Sequence, residues 1–319
     1  MGERMKVLIA YDGSECADEA LADLPRAGLP DDTEALVFTV GDVILPPPSP
    51  ANYDVTAKAM ASRRVASAVG QAQAQAAQAI EEARRIAGRG RESLRSAFPR
   101  WEVRAEAVAG APAFAIIERA RDWPADLVVV GTQGRTALGR LIMGSVSHKV
   151  ATEANNSVRV ARCRGDAREG SPIRLLVGFD GSSSARAAVR AVARRAWPAG
   201  TTALLVAVAE QQGTPVTAGL IRTAPVTTPD GGGKGRDTLR AAVETAEDDL
   251  SAAAGLHVTC EIRDGDAKSV LMEEADRSRA DCIFVGSRGL SGRVERFLLG
   301  SVSAALVKDA PCSVEVVRE

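Results

Sequence analysis

Short aliphatic runs alternate with longer amphipathic stretches along the chain, and this order predicts strands separated by helices. The first half has aliphatic runs at residues 7–11, 35–40, 103–108, 127–130 and 158–160, with helical patterns at 57–97, 113–121 and 146–153. The second half has corresponding runs at 175–179, 203–208, 257–262, 282–285 and 314–317. Strands that alternate with helices predict parallel sheets of about five strands, each covered by helices on both faces.

The same pattern occurs twice in the chain. VLIAYDGSECADEAL from Val7 matches LLVGFDGSSSARAAV from Leu175, and ADLVVVGTQG from Ala125 matches ADCIFVGSRG from Ala280. LIMGSVSHKVATEANNSVRV from Leu141 likewise matches FLLGSVSAALVKDAPCSVEV from Phe297. Because the matches keep their order, we expect a tandem duplication: a first domain at 1–163, a polar linker at 164–172 and a second domain at 173–319.

Composition narrows the class of protein. Aromatic residues make up 3% of the chain, so the core must be built from Val, Leu, Ile and Ala. A net charge of −1, without a basic stripe interleaved with aromatics, gives no reason to expect a nucleic-acid partner. Five scattered cysteines without a CxxC pair predict free thiols in a reducing compartment, and the two histidines make a metal site unexpected. Since no secretory signal and no membrane-spanning run is recognisable, we expect a cytoplasmic protein without a membrane partner.

A glycine-rich loop follows the fourth predicted strand of each copy. In the first copy it runs from Gly131 to Gly144-Ser145, and in the second from Gly286 to Gly300-Ser301. Ligands of open α/β sheets bind beyond the carboxyl ends of the strands, where the strand order changes direction. Glycines let a ligand approach backbone N–H groups, and a helix that starts at Gly-Ser adds unsatisfied N–H groups and a positive dipole. The loops therefore predict an anion cradle made mostly of backbone.

These loops, together with an aspartate after the first strand of each copy, resemble the ATP-binding signature of the universal stress protein family. The signature spacing is Gly-x2-Gly-x9-Gly-Ser, and Gly131, Gly134 and Gly144-Ser145 fit it. Gly286 and Gly289 are followed by ten residues before Gly300, one more than the pattern. The resemblance covers nearly the whole chain. It implies two tandem Rossmann-like or flavodoxin-like domains that bind ATP. Separately, Asp12 and Asp180 are candidates to help hold Mg²⁺ together with the phosphates.

The resemblance also implies which residues form the sites. The aspartates would bind the adenine or ribose side, the valines that end the second strands would pack on the base, and the loops and helix starts would hold ribose and phosphates. The candidate set in copy one is Asp12, Val40, Val130, Gly131, Gln133, Gly134, Gly144, Ser145, Val146 and Ser147. The candidate set in copy two is Asp180, Val208, Val285, Gly286, Arg288, Gly289, Gly300, Ser301, Val302 and Ser303.

Other functions of the same residues stay open at this point. Asp-Gly-Ser is ordinary turn chemistry, and the loop serines are candidates for helix N-caps. No catalytic constellation is shared by the copies, so we expect a stress or energy-state regulator with at most slow ATP hydrolysis. The alternative is a nucleotide-independent interaction protein on the same scaffold; a dedicated adenylyl-transferring enzyme is less favoured. The extra residue predicts a weaker second site, and the resemblance implies pairing of the last strands, 157–162 with 313–318, as an internal pseudo-dimer or between chains in a homodimer.

Overall fold

A computed structural model describes residues 4–42, 58–133, 143–162, 170–209, 231–253, 255–289 and 299–319, with backbone only at 58–73 and 231–235. The chain divides into two compact units. Unit one contains Met1–Pro25 and Pro30–Ala161, and unit two contains Arg26–Leu29 and Arg162–Glu319. Residues 164–169 of the expected linker lie outside the described residues, so the expected domain boundaries stay a prediction.

Unit one alternates strands and helices. Its strands are β1 (Lys6–Ala10), β2 (Glu34–Asp42), β3 (Glu102–Gly110), β4 (Leu127–Gly131) and β5 (Ser157–Ala161). Its helices are α1 (Glu15–Asp23), α2 (Lys58–Ala97), α3 (Pro112–Asp122) and α4 (Ser145–Glu153). The predicted elements of the first copy are confirmed, with ends that differ from the predictions by at most two residues.

Unit two repeats the order. Its strands are β6 (Arg174–Phe179), β7 (Thr201–Ala209), β8 (Leu256–Asp264), β9 (Cys282–Gly286) and β10 (Ser313–Val317). Its helices are α5 (Ser183–Ala193), α6 (Gly231–Ser251), α7 (Ala267–Arg277) and α8 (Ser301–Asp309).

The start of α6 differs from the sequence prediction. The composition of residues 211–237, with GGGKG near their end, predicts a surface loop. Residues 211–230 lie outside the described residues, and α6 begins at Gly231. Val243, Ala246 and Leu250 are buried on one face of α6 and anchor the helix to the core of unit two. Once the anchored part of α6 is helical, each further turn adds hydrogen bonds without a new nucleation cost. The helix can therefore include the glycines at its N-terminus.

Each unit contains a five-stranded parallel sheet with the same strand order. The order is β3-β2-β1-β4-β5 in unit one and β8-β7-β6-β9-β10 in unit two. Beside the central strands β1 and β6, the strands β4 and β9 are apolar and buried along their whole length, as expected for parallel strands covered on both faces. Within each sheet the order changes direction between the first and fourth strands, where Ile9 lies beside Val129 and Val177 beside Phe284. The predicted α/β fold of both copies is confirmed, and each sheet has its switch point where the glycine loop begins.

In each unit the last strand forms a buried ion pair with a residue at or just after the end of the first helix, and the polarity is opposite in the two copies. In unit one Arg159 on β5 donates from Nε to Asp23 Oδ2 at 2.6 Å. In unit two Glu315 on β10 accepts from Arg195, with 3.0 Å between Nη1 and Oε2. Arg195 also lies over the Phe284 ring, 5.1 Å from its centroid. Buried charges of this kind require their partners, because an uncompensated charge in the core is strongly destabilising.

Candidate functional site

The candidate site of each copy lies at the carboxyl ends of the first and fourth strands. In unit one these strands lead into the turn at Asp12 and the loop at Gly131, and in unit two into Asp180 and Gly286. The strands are hydrogen-bonded neighbours, so the turn and the loop start side by side. This is the switch point at which open α/β sheets bind ligands.

Both aspartates hold a tight turn. The backbone N–H of Ser14 donates to Asp12 Oδ1 at 3.0 Å, and that of Ser182 donates to Asp180 Oδ1 at 2.9 Å. Each serine in turn caps the following helix by accepting a backbone N–H three residues on. The turn function considered for Asp-Gly-Ser is therefore present in both copies, and it fixes each carboxylate at the edge of the site.

The glycine of each turn adopts a left-handed backbone. The φ angle is 74° at Gly13 and 81° at Gly181, a region that side chains disfavour. The surroundings of the two glycines differ. A Cβ built on Gly13 would lie 3.2 Å from Ile86 on α2, whereas the nearest atom at Gly181 would be the Cβ of Ala242, 3.9 Å away. The turn of copy one is thus more closely covered than that of copy two.

The first glycine of each loop is required by packing. A Cβ on Gly131 would lie 2.6 Å from the carbonyl oxygen of Cys16, and a Cβ on Gly286 would lie 2.5 Å from the carbonyl carbon of Ser184. These are backbone atoms at the start of α1 and α5, so any side chain would push the helix off the strand. Attributing these two glycines to phosphate binding alone was therefore incomplete, since helix packing also excludes a side chain there.

The loop of copy two meets the aspartate turn directly. A Cβ on Gly289 would lie 2.8 Å from Asp180 Oδ2, so the second loop glycine faces the carboxylate and a side chain there would collide with it. The carbonyl of Arg288 accepts a hydrogen bond from Ser182 Oγ at 3.3 Å and another from Ser184 Oγ. The corresponding glycine of copy one, Gly134, lies outside the described residues. In copy two, aspartate and loop therefore form one continuous rim.

Glycines also begin the helices that follow the loops. The N–H of Gly144 donates to the carbonyl of Thr132 at 2.7 Å, and that of Gly300 to the carbonyl of Ser287 at 2.8 Å. Gly144 and Gly300 are themselves the N-caps of α4 and α8. The expectation that the Gly-Ser pairs start helices is confirmed, but serine capping is wrong at this place. Because a glycine cap brings no side-chain acceptor, it leaves first-turn N–H groups for an anion.

The serines of these helices divide into an exposed and a buried pair. Ser145 and Ser301 are exposed in the first turn, whereas Ser147 and Ser303 are buried. Ser303 Oγ donates to the carbonyl of Gly286 at 2.7 Å and so ties the start of α8 to the end of β9. Its hydroxyl proton is committed to the protein, which leaves Ser301 as the more accessible hydroxyl of copy two.

The remaining candidates differ in exposure. Val130 and Val285 are buried within β4 and β9, and Gln133 is buried after β4. Val40 and Val208 are half-buried near the ends of β2 and β7, as are Val146 and Val302 in the first turns of α4 and α8, and Arg288 is exposed. Val130 and Val285 therefore support the site from the sheet, whereas the half-buried residues and Arg288 are accessible to a ligand.

Two further groups near the turns were missed by sequence reasoning. Arg89 on α2 places Nη2 2.8 Å from the position of a Cβ on Gly13. Arg186 on α5 donates from Nη2 to the carbonyl of Gly181 at 3.1 Å. Both come from positions that neither repeat nor glycine motif marks. The approach of each arginine to its turn is visible only in the three-dimensional structure.

A buried phenol lies beneath the turn of copy one. Tyr11 donates to Asp18 Oδ1 at 2.5 Å. Burial, with the hydrogen bond to Asp18, raises the pKa of Tyr11 to about 12. The side chain is therefore a neutral hydrogen-bond donor at physiological pH.

Two kinds of feature are absent from the described residues. In that part of the chain, no group of three or more His, Cys, Asp or Glu side chains is arranged to hold a metal ion. Among the described helices, none combines the length and apolarity needed to cross a membrane.

Comparison with known proteins gives the same result for both halves. The model of the universal stress protein family matches residues 3–162 and 173–318. A universal stress protein A-like protein of Arabidopsis thaliana is 46% identical over 63 residues, covering 19% of this chain and 35% of that protein. A universal stress protein of Methanocaldococcus jannaschii is 33% identical over 86 residues, covering 27% of this chain and 47% of that protein. The chain thus spans less than half the length of these curated relatives.

Solved structures are similar over nearly the whole chain. A universal stress protein from Archaeoglobus fulgidus DSM 4304 covers 98% of both chains with a TM-score of 0.61 and 20% sequence identity. At this identity the similarity concerns the fold.

Proposed function

Because this chain belongs to the universal stress protein family, with two copies of the family domain in tandem, we propose that it binds adenine nucleotides, ATP above all, at one site per copy. The observation that supports this most is in copy two. Gly289 faces the Asp180 carboxylate at the switch point of the sheet. A turn and a backbone loop that meet there form a rim with the carboxylate on one side and the first-turn N–H groups of α8 on the other.

Each part of the rim suits a different part of the nucleotide. Asp12 and Asp180 are fixed by their turns and can accept a hydrogen bond from an adenine amine or a ribose hydroxyl. The glycine-capped starts of α4 and α8 can receive phosphate oxygens, which favour the positive end of a helix. If Mg²⁺ accompanies the phosphates, we propose that phosphate and water supply most of its ligands, as is usual for this ion.

The role we propose is sensing rather than catalysis. The protein would act in the cytoplasm, where nucleotide occupancy would signal a stress or energy state to a partner. ATP hydrolysis would be slow at most. The extra residue between Gly289 and Gly300 supports a weaker site in copy two, with a stoichiometry between one and two. The closer cover over Gly13 would instead weaken the site of copy one. The decisive measurement is therefore a separate affinity for each of the two sites.

A nucleotide-independent interaction protein is the second candidate, and one observation is compatible with it. Gly131 and Gly286 are required by helix packing whether or not a ligand binds. A copy that had lost nucleotide binding would therefore retain the first glycine of the motif. Retention of that glycine is not evidence for a ligand, in contrast to the pairing of Gly289 with Asp180.

Isothermal titration with ATP and ADP tests the proposal. Wild type should bind, and Gly289→Val should weaken binding at one site, because its side chain would displace the Asp180 carboxylate. Gly88→Ala is the matched control, since a Cβ there meets nothing within 4 Å. Absence of binding to wild type at millimolar nucleotide would favour the interaction protein instead.

A further inference from the structure

Both backbone groups of Arg288, the residue before Gly289, are bound by one serine of α5. Ser184 Oγ donates to the carbonyl oxygen of Arg288 and accepts from the backbone N–H of the same residue at 3.4 Å. Ser182 Oγ adds a second hydrogen bond to that carbonyl at 3.3 Å. Both serines are buried, where hydrogen bonds are stronger than in water. The backbone of the second loop is therefore fixed at Arg288.

The bound carbonyl sets the direction of the next N–H group. A trans peptide is planar, and its C=O and N–H point in opposite directions. No peptide bond among the described residues is cis, so a carbonyl of Arg288 that points towards Ser184 turns the N–H of Gly289 away from α5. The Gly289 nitrogen lies 3.8 Å from the Cβ position of Gly300, the N-cap of α8. This N–H group therefore borders the first turn of α8, where the proposed function places phosphate oxygens.

Copy one has a thiol in place of the Ser184 hydroxyl. An offset of 168 residues aligns α1 with α5 and places Cys16 opposite Ser184. Cys16 Sγ accepts from Thr132 Oγ1 at 3.6 Å, which is a contact with a side chain. A thiol is a weak donor and its sulfur a weak acceptor. The two loops thus differ at their start: a hydroxyl binds backbone groups in copy two, and a thiol binds a side chain in copy one.

Packing of the helix is a weak explanation for the hydroxyl. The helix α5 is already capped by Ser182, whose Oγ accepts a backbone N–H three residues on. Copy one packs α1 equally closely on its loop glycine with a cysteine present, since a Cβ on Gly131 would lie 2.6 Å from the carbonyl oxygen of Cys16. The close approach of helix and strand therefore accommodates either residue. What the hydroxyl of Ser184 adds is the hold on Arg288.

We propose that Ser184 is a positioning residue of the second nucleotide site, which directs the N–H of Gly289 towards the phosphates of the bound nucleotide. This inference rests on the proposed function, which assigns the start of α8 to the phosphates. Ser184 is buried, and it acts through the backbone of Arg288 and Gly289. A donor that is already oriented loses little freedom when the ligand binds, so the hold on the loop increases affinity.

The test is Ser184→Cys, which gives copy two the residue of copy one in a side chain of similar size. ATP should bind about two- to tenfold more weakly at one site, as expected for one lost hydrogen bond. Adenosine has no phosphate and should bind as it does to wild type. Ser183→Ala is the matched control, because Ser183 is the exposed neighbour in the first turn of α5 and should leave both affinities unchanged. Thermal unfolding without nucleotide measures any structural cost separately.

The outcomes distinguish this inference from the proposed function. Wild type that binds neither adenosine nor ATP would overturn both. Wild type that binds ATP, with unchanged affinity in Ser184→Cys, would overturn the inference alone. An equal loss for adenosine and ATP would also overturn it, because Ser184 would then act on the base and ribose side. A lower unfolding midpoint with unchanged ATP affinity would overturn it as well and limit Ser184 to stabilising the fold.

Discussion

Replacing Gly131 by alanine separates the packing role of the loop glycine from a role in binding. The new Cβ would lie 2.6 Å from the carbonyl oxygen of Cys16 and 2.9 Å from its carbonyl carbon. Both are backbone atoms in the first turn of α1, so no side-chain rotation can relieve the contact. The helix must move away from β4, and overpacking of this kind costs about 1–3 kcal/mol. Gly286→Ala meets the carbonyl carbon of Ser184 at 2.5 Å and should cost a similar amount.

Urea unfolding followed by far-ultraviolet circular dichroism, without nucleotide, measures this cost. Gly88→Ala is the internal comparison: the residue lies within α2 with open space around its Cβ position, so alanine should stabilise that helix by about 0.5–1 kcal/mol. Gly131→Ala should therefore lower the urea concentration at the unfolding midpoint, and Gly88→Ala should raise it. A Gly131→Ala protein that unfolds at the wild-type urea concentration but loses ATP affinity would refute the packing argument. The ligand would then be the reason for this glycine.

Three further predictions concern buried groups. Glu315→Met should destabilise unit two by about 3–5 kcal/mol in urea unfolding, because it leaves Arg195 buried without its carboxylate. Adding Arg195→Met should recover much of that loss, and a double variant no better than the single one would contradict it. Burial and the bond to Asp18 raise the pKa of Tyr11 from 10.0 to about 12. The neutral phenol therefore stabilises the fold fully below pH 10, and this contribution is lost as the pH rises towards 12. In Tyr11→Phe the urea concentration at the unfolding midpoint should depend less on pH between 10 and 12. Burial raises the pKa of Cys260 to about 12, so its thiol should react with Ellman's reagent at pH 8 far more slowly in the folded than in the unfolded protein.

The positions of the strands along the chain follow from local pattern. Buried parallel strands are uninterrupted aliphatic runs, and the duplication supplied a second reading of each run, so the strand predictions agree with the structure within two residues. The Asp-Gly-Ser turns were also predictable, because their hydrogen bonds join residues two or three apart. The start of α6 at Gly231 was not, since glycine content suggests a loop and the burial that anchors the helix lies further along the chain.

The candidate site was predictable only in part. Its location beyond the carboxyl end of an apolar strand follows from the glycine loops in the sequence, whereas the strand order that places β4 beside β1, and β9 beside β6, comes from the structure. The approach of Cys16 to Gly131, and of Arg89 to Gly13, joins residues that are far apart in sequence. Such contacts depend on how a helix sits on the sheet, to within an ångström. Neither the residue types nor their spacing in the sequence predicts such contact distances.

The opposite polarity of the two buried ion pairs limits how the halves of this gene can recombine. If the last strand of copy two replaced that of copy one, Glu315 would be buried beside Asp23 in place of Arg159. The reverse exchange would bury two arginines, Arg159 beside Arg195. Both products would carry like charges in a core, so gene conversion between the repeats would be selected against. Once the acidic and basic positions of the ion pair had been exchanged in one copy, gene conversion could no longer make the two copies alike. Each half could then evolve its own site.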